Sequence, residues 1–170
     1  MNGIEFVQTA IMEFHRSIIS EVKDLTPEHL AWRPAAGANP IGFIFWHITR
    51  TEDTIIHRFL GKPALWDAGN WQGKTGMSAP PQSGGHPQEE IEKAGALPLS
   101  QVMAYAEAVH KNTDEYLKTL DDQKLDIVLN PERPNFTIGM MLRNFLIAHG
   151  WWHLGEIKYL KGLQGMPSPF

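Results

Sequence analysis

The stretch IAHGWWHLGEIKYL, residues 147–160, decides how this chain is read. As a helix it places His149 and His153 on one face, about one turn apart. A helix offers two imidazole nitrogens to one ion in this way. Working back along the chain, Thr137 is a favoured N-cap, so the helix is expected to start there and run to about Gly162. Met141, Phe145, Ala148, Trp152 and Tyr159 are expected to mark its inner face.

Three earlier segments share the helical period. Ile4, Val7, Ile11, Phe14, Ile18 and Val22 recur at spacings of three and four and make one buried stripe, ending near Lys23. Leu25-Thr26-Pro27 starts a turn, and LAWRPAAGANP reads as a loop. A second helix begins at Asn39-Pro40, with Asn39 as N-cap and Pro40 at the first helical position. Its apolar face is Ile41, Ile44, Phe45, Ile48, Ile55 and Phe59, and Gly61 with Pro63 ends it. A third helix runs from about Pro98 to Leu120, with Val102, Tyr105, Ala106, Val109, Tyr116, Leu117 and Leu120 as its stripe. No segment alternates with period two, so no strand is expected. The fold class is therefore all-α: a four-helix bundle forming one domain over residues 1–170.

Residues 62–97, between the second and third helices, are rich in Gly, Pro, Ser and Gln. They are too long for a tight hairpin and read as a crossover or a cap over one end. Residues 89–93 are expected to form a short helix within them. Residues 68–75, AGNWQGKT, match a relaxed phosphate-loop pattern. No core strand precedes them and GMSAPPQ cannot open a long helix, so the match is read as chance.

Composition narrows the function. The net charge of −4 and a pI near 6.0, with no basic cluster, argue against a nucleic-acid partner. No apolar run reaches the length of a membrane span, and MNGIEFVQTA does not read as a signal peptide, so a cytoplasmic location is expected. There is no cysteine, which removes disulfides, thiolate zinc sites and a cysteine nucleophile. A metal must be held by His, Asp, Glu or backbone groups.

A third imidazole comes from His47, in the apolar run FIFWHI of the second helix. Three imidazoles with an open position are a catalytic arrangement, and in a bundle they converge from facing helices. His47, His149 and His153 are therefore the expected metal ligands. A zincin mechanism needs Glu directly after the first His, and Gly150 stands there, so that mechanism is excluded. Glu52 and Glu156 are the expected catalytic or ligand-orienting carboxylates. Asp53 reads as a surface carboxylate. The tryptophans read mostly as core, with Trp66 and Trp71 less automatically so. His15, His29, His57, His86 and His110 lack ligand-like spacing and read as structural or exposed.

These residues resemble the DinB-like (YfiT-like) metalloenzymes. The resemblance rests on LAWRP followed by AGANPIG, on WHI in the second helix, and on His-x-x-x-His followed by Leu-Gly-Glu-Ile in the fourth. It is most specific over residues 31–53 and 144–158. It implies a four-helix bundle in which His47, His149 and His153 bind a divalent metal; Zn is the chemical default for three imidazoles with an open position, and Ni is the alternative. It also implies an external low-molecular-weight thiol such as bacillithiol or mycothiol, S-transferase-like chemistry on a small-molecule substrate, and a homodimer. The family's late motif often reads His-Arg-Gly-Gln-Ile, from which Leu154 and Glu156 depart. Two other readings stay open: a metal-dependent hydrolase, and a non-catalytic metal- or ligand-binding, stress-associated protein.

Overall fold

The structure, a computed structural model, describes residues 1–75, Met77 and residues 86–167. Among them the chain is helical, with a single isolated bridge between Val128 and Thr137 as its only extended pairing. Four long helices form the bundle. Helix α1 spans Gly3–Val22, α2 Ile41–Leu60 and α3 Leu99–Leu117. Helix α4 is composite: Ile138–Met141, a π-helical stretch Leu142–Ala148, then His149–Leu163. No described helix is long and apolar enough to cross a membrane.

Helix α1 follows its sequence closely. Asn2 and Glu5 form a capping box that satisfies two of the first orphan amides. Ile4, Val7, Ile11, Phe14, Ile18 and Val22 are all buried. Thr26, expected in a turn, caps a short helix over Pro27–Ala31. The N-cap of α2 is Pro40 rather than Asn39, and no side chain caps it. A residue before proline is held out of the helical region, and Pro40 itself is still extended, so the helix starts at Ile41. Gly61 ends α2 in the left-handed conformation, as expected.

The inner face of α4 departs from expectation. Phe145, Trp152 and Tyr159 are exposed (40%, 75% and 67%), while Leu146, Leu154, Ile157 and Leu160 are buried. The π-helical stretch is the cause. It holds one residue more per turn than an α-helix, so the stripe beyond it shifts by one position. Phe145 gives way to Leu146, Trp152 to His153, and Tyr159 to Leu160.

The core has two ends. One gathers Trp46, Trp66, Met77, Tyr105 and Phe14; the other gathers Ile11, Ile56, Leu117 and Leu142. The long connection carries helices over Leu65–Ala68, Trp71–Thr75 and Gln88–Gly95. Asp53 fastens it. Its Oδ1 accepts the Leu65 N–H at 2.8 Å, and its Oδ2 accepts the Trp66 N–H at 2.9 Å and the Tyr105 hydroxyl at 2.6 Å. Arg50 lies 3.4 Å from the same oxygen and stacks on the Trp66 ring. Asp53 is therefore a buried anchor, 1% exposed, rather than a surface carboxylate. The Tyr105 hydroxyl is pushed up by burial, opposed by Arg50 and reinforced by Asp53.

Candidate metal centre

His47 projects from α2, and His149 and His153 project from α4 just past the π-helical stretch. Such stretches often sit at functional sites because they re-aim the side chains that follow. Here the one-residue shift turns both histidines inward. One nitrogen from each of the three rings lies within 4.8 Å of the other two. His47 Nε2 and His149 Nε2 are 3.2 Å apart. The rings stand steeply to one another, at 64°, 79° and 86°, so their lone pairs can share a common centre.

Electrostatics keeps the His47 and His149 imidazoles neutral. Burial pushes His47 down to about 3, and His149, His153 and His86 push it further in the same direction. Burial and His153 push His149 down to about 4, against a small opposing pull from the Phe145 carbonyl. Neutral imidazoles with free lone pairs are the form that binds metal. Glu156 Oε2 lies 2.8 Å from His153 Nδ1. A proton held on Nδ1 by that carboxylate leaves Nε2 free as a donor.

The three histidines thus fit a divalent ion, with ring faces supported by the core. Phe43 stacks on His47 at 5.7 Å, and His86 meets it edge-on at 5.6 Å. His86 comes from the long connection, and its Nδ1 is 3.3 Å from Glu90 Oε2. It had no ligand-like spacing because a crossover, not a helix face, delivers it. The phosphate-loop match at residues 68–75 falls on short helices, and Lys74 lies over the Trp71 ring, 4.3 Å from its centroid.

Glu52 is not part of this group. It lies five residues after His47 and so turns to a different face of α2. Its carboxylate meets His15 Nε2 of α1 at 3.0 and 3.1 Å and accepts the Thr113 hydroxyl of α3. Burial alone would raise this carboxyl, but His15, His110 and Thr113 hold it down at about 2. His15 and His110, expected to be unremarkable, stack face to face beside it, 3.7 Å between centroids. His57 is 3.5 Å from Asp53 and 3.2 Å from Asn112, a structural role.

The chain shares its fold with a solved structure described as the conserved protein of locus from Enterococcus faecalis. The two are 20% identical with a TM-score of 0.84, over 96% of this chain and 97% of that one. No curated protein matches the sequence. The family model of the DinB superfamily matches residues 12–157, and with a four-helix bundle and an inward-facing three-His group around that match, the chain belongs to the DinB superfamily.

Proposed function

We propose that the protein is a divalent-metal-dependent enzyme that uses an external low-molecular-weight thiol in an S-transferase-like reaction. The observation that carries the metal reading is the convergence of three imidazoles from two helices, with a carboxylate behind one of them. Three protein ligands leave a position for an exchangeable ligand, the pattern of catalytic rather than structural zinc. Zn suits this donor set best, and Ni is the alternative. A bound divalent ion would supply a Lewis acid that lowers the pKa of a thiol or water.

The remaining chemistry belongs to the chain's own side chains. Glu156 fixes the orientation and tautomer of His153. Phe43 gives the site an apolar wall against His47. No cysteine is present, so a reacting sulfur must come from a second molecule. The test is thiol consumption by zinc-loaded protein with several low-molecular-weight thiols and electrophiles. The proposal requires thiol loss that depends on both His149 and the electrophile. Turnover of ester or amide substrates without any thiol would replace it with the hydrolase reading.

A further inference from the structure

His15, Glu52 and His110 come from α1, α2 and α3, and the triad centre uses none of them. We propose that these three residues form a second divalent-metal site, separate from the three-His centre and suited to zinc. Two imidazoles and one carboxylate are a donor set that binds zinc and leaves a position open. Their ligand atoms lie within 4.8 Å of one another.

The surroundings match what metal ligands need. His15 presents Nε2 to the Glu52 carboxylate, and its Nδ1 faces Asp114 Oδ1 at 3.9 Å. That Asp114 oxygen is buried and has no hydrogen-bond partner among the described residues. A carboxylate behind the second nitrogen of a ligating histidine is the usual outer support of such a ligand. Thr113 supports Glu52 in the same way. A groove of about 390 Å³, lined by His15, Arg16, Ile19, Ser20, Lys23 and His110, gives an ion and its exchangeable ligand a route in.

A buried ion pair alone explains less. One imidazole and the Thr113 hydroxyl suffice to satisfy a buried carboxylate. The second imidazole, stacked on the first at 6° between ring planes, adds a third donor that the pair does not need. One ion cannot lie in the planes of two parallel rings, so taking up metal requires one ring to tilt. His110 is that ring: it lines the groove and is only partly buried, whereas His15 is buried with its Nε2 tied to Glu52.

The test is metal stoichiometry on tag-free protein stripped with chelator and dialysed against buffered zinc. Wild type should take up two ions per chain, His110→Ala one, His149→Ala one, and the double variant none. Glu52→Gln, which keeps a hydrogen-bonding partner for Thr113, should also lose one ion, and circular dichroism reports whether each variant is folded. If wild type takes up one ion that His149→Ala abolishes and folded His110→Ala retains, the second site is wrong and the three-His centre stands. If wild type takes up a single ion that survives in His149→Ala and is lost in folded His110→Ala, the second site stands and the three-His reading fails.

Discussion

Replacing Asp53 by Ala should remove the fastening between α2 and the long connection. Two backbone amides, Leu65 and Trp66, and the Tyr105 hydroxyl would lose a charged acceptor at 2.8, 2.9 and 2.6 Å. All lie in or against a core where Trp66 is fully buried, so water cannot replace the carboxylate without disrupting packing. Arg50, 7% exposed, would keep a buried charge without its partner. Each hydrogen bond to a charged group is worth about 1.5–3 kcal/mol, and breaking a buried pair costs about 3–5 kcal/mol. These contributions overlap, so the expected loss is about 3–5 kcal/mol, a large part of the roughly 5–15 kcal/mol that holds a domain together. Urea unfolding followed by tryptophan fluorescence measures it, and for a domain of this size the midpoint temperature should fall by about 6–20 °C. Asp53→Asn, which keeps one acceptor and the volume, should lose less. A loss below about 1 kcal/mol for Asp53→Ala would refute a buried anchor and restore the surface reading.

Three further outcomes follow from the same geometry. A Cβ on Gly150 would sit 2.9–3.1 Å from the Phe14 ring, so Gly150→Ala should destabilise by about 1–2 kcal/mol, and in a Phe14→Ala background it should become neutral or stabilising by up to about 1 kcal/mol, measured as a double-mutant cycle. Glu156→Ala should leave the fold intact and weaken zinc binding by about 10–100-fold in a competition titration, since it removes the partner of His153 Nδ1. Metal-free protein should lose stability on acidification: an unfolded histidine takes a proton near 6.5 whereas folded His47 and His149 resist until about 3 and 4, so their contribution is complete above 6.5 and falls away below it; Glu52, held at about 2 against 4.5, adds a further loss as pH drops from 4.5 toward 2, and a urea midpoint flat between pH 7 and 4 would contradict these shifts.

Local periodicity was readable wherever the helix was regular. The α1 stripe, the Gly61 stop and the Thr137 cap all follow from nearest-turn chemistry and lie where the residues suggest. The α4 face was not readable, because nothing in LRNFLIA marks a π-helical stretch, and one extra residue per turn moves every later side chain by about 100°. The pair His149 and His153 survived that shift, since their spacing is internal to the regular helix beyond it. Asp53 was misplaced for a different reason: its partners are amides of a connection that no pattern ties to α2. His15, Glu52 and His110 are brought together by three helices, and only their place on apolar faces hinted at burial. His86 reaches His47 from a crossover whose path the sequence leaves undetermined.

The chemistry of this bundle turns on where a metal binds. Crystals of tag-free protein grown with zinc, measured on both sides of the zinc absorption edge, locate the ion directly. An anomalous peak is expected about 2.0–2.1 Å from nitrogens of His47, His149 and His153, with density for an exchangeable ligand beside it. Zinc-loaded protein whose three rings contact one another with no peak among them would contradict the three-His centre.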